Sequence, residues 1–276
     1  MATDPKGKSP AAKQAAGDAS QPPPEPQARD ARRDEKTARL RDSLARARRV
    51  CVLTGAGVSA ESGVPVNRGN EGLYQAFSAA DMATPEGFAR NPEKVWAWYI
   101  DRRRQLLEVK PNPGHAALAR LEQLMAAQGR AFRLVTQNID GLHQAAGSRD
   151  PVELHGNIWK TRCTECGTVS GQYGEIFEGL PRCARCKALC RPHIVWFGEL
   201  LDPAVWQSAV RAACECDFLL SVGTSAAVQP AAGLIHMAAA NGALVAEINL
   251  EETANTRWVD LSLLGKSGEI LPRVVE

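Results

Sequence analysis

Val50-Cys51-Val52-Leu53-Thr54 runs without interruption into Gly55-Ala56-Gly57-Val58-Ser59-Ala60-Glu61-Ser62-Gly63. The first five residues form the short apolar run that a buried parallel strand requires. The glycines predict a tight turn, and Ser59 to Ser62 is suited to open a helix. Glycines at such a turn let backbone N–H groups come close to a pyrophosphate, and the start of the next helix favours its charge. The dehydrogenase spacing G-x-G-x-x-G is not met, because position 60 is alanine. No strand ends in an acid about 20 residues further on to grip a ribose. A turn that reverses the chain and binds nothing is the alternative.

Outward from this turn, helices and strands alternate. Glu35 to Arg49 is charged, rich in Ala, Leu and Arg, and free of Gly and Pro, so a helix is expected before the strand. Asn91-Pro92-Glu93 supplies a capping side chain, a proline at the first helical position and an acid near the positive end of the dipole. That helix is expected to reach about Val109. Pro111-Asn112-Pro113-Gly114 breaks it, and a second helix follows over roughly His115 to Ala127. Phe132–Thr136, Val152–His155, Asp217–Val222 and Leu244–Asn249 read as strands, with an Ala-rich helix over Pro230–Asn241 between the last two. The alternation implies an α/β architecture, a mostly parallel sheet with helices on both faces.

In such sheets ligands bind at the carboxyl ends of the strands. Three further loops lie there: Thr136-Gln137-Asn138-Ile139-Asp140-Gly141-Leu142-His143, Gly223-Thr224-Ser225 and Asn249-Leu250-Glu251. Gln137, Asn138 and Asp140 are poor strand formers and offer hydrogen bonds to ribose or amide groups; an ordinary polar loop is the alternative. With the glycine-rich turn, these loops can form a dinucleotide cleft. His155 ends a predicted strand beside Gly156, which would leave room for a ligand. A lone histidine is more often structural, but an imidazole titrates near neutrality and suits general-base work.

Cys163-x-x-Cys166 and Cys183-x-x-Cys186 have the spacing of a structural zinc site. Four thiolates leave no open coordination position, so Zn2+ there would hold the fold and take no part in catalysis. Cys190 reads as a buried apolar thiol. The N-terminus has no apolar leader, so a disulfide framework is not expected. Residues 1–38 contain no Val, Ile, Leu, Phe, Trp or Tyr, and 1–36 reads as a disordered tail. Its acids Asp4, Asp18 and Glu25 speak against a mitochondrial transit peptide, so a cytoplasmic protein is expected. Lys plus Arg total 33 and Asp plus Glu 31, which argues against a nucleic-acid or membrane coat. No apolar run approaches the roughly 20 residues that span a bilayer.

Taken together, GAGVSAESGVP, TQNIDGLH, the His155-Gly156 pair, the two C-x-x-C pairs, RPHIVWFGE (191–199), GTS and NLE resemble the sirtuin family, in the family's order and over roughly residues 40–276. The resemblance implies a Rossmann-type core (about 37–70, 130–158 and 191–276) with an inserted small domain (about 71–129 and 159–190) made of a helical part and a zinc part. It implies a monomer in which NAD, a consumed co-substrate, meets a protein substrate bearing an acylated lysine in the cleft between them. The residues it places around NAD are Gly55, Ala56, Gly57, Glu61, Arg68, Tyr74, Gln137, Asn138, Ile139, Asp140, Gly223, Thr224, Ser225, Asn249, Leu250, Glu251 and Ser267. His155, Asn138 and Asp140 are the implied catalytic residues. The acyl oxygen would attack the ribose carbon as nicotinamide leaves, and His155 would take a proton through the ribose hydroxyls. Val195, Phe197 and Gly198 would pair with the substrate backbone as an added strand.

Tyr99 and Arg102 are three residues apart on one predicted helix and share a face. Arg102 interrupts an apolar stripe of Val95, Trp98 and Leu106. Such an arginine either reaches solvent or a nearby acid, or joins the phenol in gripping an acidic acyl chain. The Tyr-x-x-Arg pair, with Ala83 as a small pocket residue, resembles the sirtuin subgroup that removes succinyl, malonyl and glutaryl groups, so desuccinylation is expected alongside deacetylation. One departure concerns Pro65-Val66-Asn67-Arg68, where the family usually has Pro-Thr-Phe-Arg. Asn67 lacks the apolar lid over the nicotinamide site, and leakier turnover follows as an expectation. An NAD glycohydrolase or ADP-ribosyltransferase on the same fold is a rival reading, as is a zinc-ribbon interaction module.

Overall fold

The apolar run at 50–54 lies at the centre of a six-stranded parallel sheet. The computed structural model describes residues 26–65 and 79–275. In chain order the elements are α1 (Pro26–Arg46), β1 (Arg49–Thr54), α2 (Ala56–Ala60), α3 (Ala79–Met82), α4 (Pro85–Arg90), α5 (Pro92–Leu107), α6 (Pro113–Ala127), β2 (Ala131–Thr136), α7 (Leu142–Ala145), β3 (Val152–Glu153), β4 (Gly156–Cys163), β5 (Val169–Ser170), β6 (Cys190–Ile194), α8 (Pro203–Glu215), β7 (Phe218–Val222), α9 (Gly233–Ala240), β8 (Leu244–Asn249), β9 (Leu261–Leu264) and α10 (Ser267–Val275). The large sheet has the order β3-β2-β1-β7-β8-β9. Winding reverses between β1 and β7, so a crevice opens outside their carboxyl ends.

Strand periodicity sorts the core. Val50 and Val52 pack with Leu40 and Leu44 of α1, Leu118 of α6 and Leu271 of α10 on one face. Cys51 and Leu53 pack with Ala209 and Ala213 of α8 and Leu234 and Ile235 of α9 on the other. Each fully buried aliphatic side chain here stabilises by about 1.5–3 kcal/mol. A second, antiparallel sheet has the order β5-β4-β6. Ile158, Trp159 and Ile194 from it pack against Trp96, Trp98 and Tyr99 of α5 in a separate cluster, forming the small unit.

Local chemistry explains the helix starts. The Asn91 side chain accepts from Lys94 N at 2.9 Å, with Pro92 at the first position of α5. Asn112 caps α6 reciprocally: it accepts from Gly114 N, and Asn112 N donates to His115 Nδ1. Asp202 caps α8 through Ala204 N and Val205 N.

Four expectations are corrected. The first helix begins at Pro26, so the expected tail does not extend to 36. Tertiary contacts outweigh its polar composition: Arg33 and Asp34 pair with Glu269 and Arg273, and the Lys36 ammonium donates to Ser262 O. Helix α6, expected within the small domain at 71–129, packs on the large sheet through Ala117, Leu118, Leu121 and Met125. The strand expected to end at His155 stops at Glu153, because β3 pairs with β2 over only two residues before the chain turns into the second sheet. The space at Gly156 is not a ligand's: its φ is +81°, and a Cβ there would overlap the His193 carbonyl of β6. That close approach places His155 at the junction of the two sheets.

Among the described residues, no helix is long and apolar enough to cross a membrane.

Candidate active site

A cavity of about 930 Å³ lies between the carboxyl edge of the large sheet and the small unit. Its walls bring together Ala56, Gln137, Asn138, Ile139 and Asp140 from the first and second loops, His155 between β3 and β4, Ala83, Tyr99 and Arg102 from the helical part, and Val195, Phe197 and Gly198 beyond β6. Among the described residues, the other expected NAD-contacting residues lie off this wall. Gly55, Gly57 and Gly223 join two loops backbone to backbone, with Gly57 N donating to Gly223 O at 2.7 Å. Gly223 has φ +58°, and a Cβ there would overlap Val58 N. The close approach that these glycines permit is therefore between the loops of β1 and β7. Thr224 Oγ1 accepts from the Gln137 amide at 3.0 Å, and the Asn249 amide donates to Thr224 O at 3.3 Å. Ser225, Leu250 and Glu251 are exposed beside them. Glu61 and Ser267 meet each other, with the Ser267 hydroxyl and Gly268 N both donating to Glu61 Oε1, which braces α10 against the first loop. Arg68, Tyr74 and Asn67 lie outside the described residues.

His155 has the geometry of a base. Its Nδ1 lies 3.0 Å from Gln137 O. A carbonyl only accepts, so Nδ1 carries the proton and Nε2 is the nitrogen able to take another. Burial holds the imidazole below its ordinary 6.5, opposed by the bond to Gln137. The basic form therefore persists below pH 6.5. We expect kcat/KM to stay level above about pH 6.5 and to fall only below it; an acid limb centred above about 7 in a pH–rate profile contradicts this assignment.

The polar loop 136–143 is fixed from beneath by groups the sequence did not advertise. The Asn138 amide donates to Gly55 O and Ser59 Oγ, both at 3.1 Å. Asp140 accepts from Ser59 Oγ at 2.7 Å and from Leu142 N at 2.8 Å, and its backbone oxygen accepts from Trp159 Nε1. Burial raises the Asp140 carboxyl above the usual range, against those two bonds. His115 and His143 lie below, edge to face at 4.9 Å, within hydrogen-bonding distance of Ser59 and Thr54 respectively. Burial pushes His115 down to about 4, and burial plus its neighbour pushes His143 down to about 3. Both are neutral at pH 7. His143 stands in the polar stretch 136–143, and His115 is the reciprocal partner of the Asn112 cap, a pairing visible only in the structure.

Tyr99 and Arg102, the residues expected to grip an acidic acyl chain, both line the cavity. Tyr99 is 2 % exposed, and its phenol oxygen accepts from Trp196 Nε1 at 2.8 Å. The Arg102 guanidinium sits 5.3 Å from the Trp98 ring centroid and donates to Gln105 Oε1 at 2.9 Å. The neighbouring Arg103, absent from the sequence reading, is fully buried: it donates to Ile158 O and Glu175 O and stacks on Trp96, Trp159 and Phe177. It ties α5 to the small sheet.

Cys163, Cys166, Cys183 and Cys186 converge with all four sulfurs within 4.8 Å of one another. The Cys163–Cys186, Cys166–Cys186 and Cys166–Cys183 separations are 3.4, 3.5 and 3.6 Å. Tetrahedral Zn–S bonds of about 2.3 Å place sulfurs roughly 3.8 Å apart, so the residues fit a zinc ion. Cys190 is buried beside the cluster and outside it, as expected.

The Sir2 family model matches residues 55–230. An NAD-dependent protein deacylase of Thermus thermophilus is 50 % identical over 229 residues, 83 % of this chain and 90 % of that protein. The mitochondrial NAD-dependent protein deacylase sirtuin-5 of Canis lupus familiaris is 42 % identical over 268 residues, 89 % of this chain and 86 % of its own. The solved structure of a Sir2 homologue in complex with NAD superimposes with a TM-score of 0.78 at 42 % identity, covering 86 % of this chain and 92 % of that one. With the parallel sheet, the four-cysteine cluster and the histidine at the crevice, these likenesses establish that the chain belongs to the Sir2 family.

Proposed function

We propose that the acyl group this protein takes from lysine is preferentially acidic, of the succinyl and malonyl class, with acetyl the poorer substrate. The underlying activity is that of an NAD-dependent protein deacylase, and one observation carries it: a neutral imidazole, His155, with its tautomer set by Gln137 O, on the same cavity wall as Asn138 and Asp140. A cavity of about 930 Å³ with mainly apolar walls, to which Gln137, Asn138 and Asp140 add a few polar groups, suits a ligand of dinucleotide size. NAD, when bound, supplies a ribose carbon from which nicotinamide can depart.

This chain's residues do the rest. Gln137, Asn138 and Asp140 hold the ribose and amide groups in one orientation, and the loops at Gly223–Ser225 and Asn249–Glu251 take the adenosine side. His155 Nε2 takes a proton from a ribose hydroxyl. The substrate chain lies along Val195–Gly198. There the Val195 and Phe197 N–H groups already donate to His155 O and Ala83 O, so an added strand is read through their carbonyls and through Gly198. The cytoplasm is the proposed location, in keeping with eight cysteines of which none is in a disulfide.

The acidic preference is supported by Arg102, Tyr99 and the small Ala83 on one wall. A charge-assisted bond to a carboxylate contributes about 1.5–3 kcal/mol, or roughly 10- to 100-fold. Arg102→Met is expected to lower kcat/KM for succinyl-lysine peptide by about that factor and to change the acetyl-lysine value far less. Equal losses on both peptides would remove the clamp from the account.

A further inference from the structure

Trp196 is 3 % exposed and stands between the acyl wall and the substrate strand. It is held at three points. Its backbone N–H donates to Glu199 Oε2 at 2.8 Å. The Arg191 guanidinium, bonded to both oxygens of Glu199, lies 3.5 Å from its ring centroid. Its indole Nε1 lies 2.8 Å from the Tyr99 hydroxyl. An indole N–H only donates, so this bond runs from Trp196 to the phenol oxygen. The phenol proton therefore points away from the indole. A phenol that accepts one hydrogen bond is also polarised into a better donor.

We propose that Trp196 is a positioning residue for acyl selectivity: it sets the Tyr99 hydroxyl so that its proton is presented to the carboxylate of an acidic acyl group. The inference rests on the acidic-acyl reading above. A carboxylate accepts only, so it needs the phenol as a donor, and an ordered donor serves it better than a rotating one. An acetyl group has no carboxylate and makes no such demand. Because the adjacent Phe197 N–H donates to Ala83 O at 2.9 Å, the strand that meets the substrate backbone is attached to the acyl wall at two consecutive residues.

The test is a double-mutant cycle with Trp196→Phe and Tyr99→Phe, measuring kcat and KM on succinyl-lysine and acetyl-lysine peptides. Trp196→Phe keeps an aromatic ring and removes the donor. Its succinyl-to-acetyl ratio of kcat/KM is expected to fall about fivefold or more, mainly through KM for the succinyl peptide. Added to Tyr99→Phe, it should lower that ratio less than twofold further. An unchanged ratio in Trp196→Phe, or independent losses in the double variant, overturns the inference and leaves the acidic-acyl reading standing. A wild-type enzyme that prefers the acetyl peptide overturns the reading itself. If Trp196→Phe does not fold, benzothienylalanine at position 196, with sulfur in place of the indole N–H, gives the same comparison in the native shape.

Discussion

Replacing His155 with alanine is expected to lower kcat for acyl transfer by about 10²- to 10⁴-fold while the protein stays folded. The imidazole is bonded to Gln137 O and lines the cavity, so under the proposed mechanism its loss removes the group that takes the proton and little else. One half-buried hydrogen bond contributes about 1 kcal/mol, a small part of the stability of a domain this size. Asn138 and Asp140 keep their own partners, Gly55, Ser59 and Leu142, and NAD affinity should change little. Steady-state rates with saturating NAD, beside a thermal melt, check this. Activity within a few-fold of wild type would exclude His155 from the chemistry.

Removing zinc is expected to abolish activity by a different route. The segment from Cys163 to Cys190 has little apolar core of its own: the cluster around the metal ligands is Cys163, Cys183 and Cys190 with Ala188 packed against them, while Ile176, Phe177, Leu180 and Leu189 pack against the α5 cluster. Its regular structure among the described residues is the two-residue β5 and an Arg182–Leu189 bridge. Metal binding to four thiolates supplies what a core would, with about 10–16 kcal/mol measured for small zinc domains. The strands at its base, β4 and β6, carry Trp159 and Ile194 into the cluster that supports Tyr99. Disorder of the module therefore reaches the acyl wall. Chelation, or Cys163→Ser, should lower Tm by roughly 10 °C, as a loss of about 4 kcal/mol would at 2–4 °C per kcal/mol. Deacylation should fall with it, and Zn2+ but not Mg2+ should restore the chelated protein. Full activity with under about a tenth of an equivalent of metal bound would contradict a structural metal.

The strands that sequence reading finds are those whose environment is uniform. β1 and β7 are buried on both faces and read as nearly continuous apolar runs, and β8 does so except at the buried Glu247. β6 is Cys-Arg-Pro-His-Ile; its proline and charges read as loop, and it forms a strand because it is an edge of the small sheet, where proline costs least. α10 escaped notice for a similar reason, since it carries Pro272 inside it, and β9 is only four residues long. The site divides the same way. Gln137, Asn138, Asp140 and His155 stand in contiguous polar stretches beside strands, and the zinc cysteines have a spacing of their own. The groups beneath them come from far along the chain. Ser59 meets Asp140 across 81 residues, and Trp196 meets Tyr99 across 97. No local pattern records such pairs, and a buried histidine such as His143 looks like any other until its surroundings are known.

The most direct test follows three products at once. Purified protein is incubated with NAD and a succinyl-lysine peptide, and nicotinamide, free lysine peptide and O-succinyl-ADP-ribose are quantified by mass spectrometry through the first turnovers. The account predicts that deacylated peptide and O-succinyl-ADP-ribose form in equal amounts, that both need NAD, and that nicotinamide matches them or, should Asn67 leave the nicotinamide site leaky, exceeds them. Nicotinamide released with no loss of succinyl from the peptide would contradict it and assign this cavity to NAD hydrolysis.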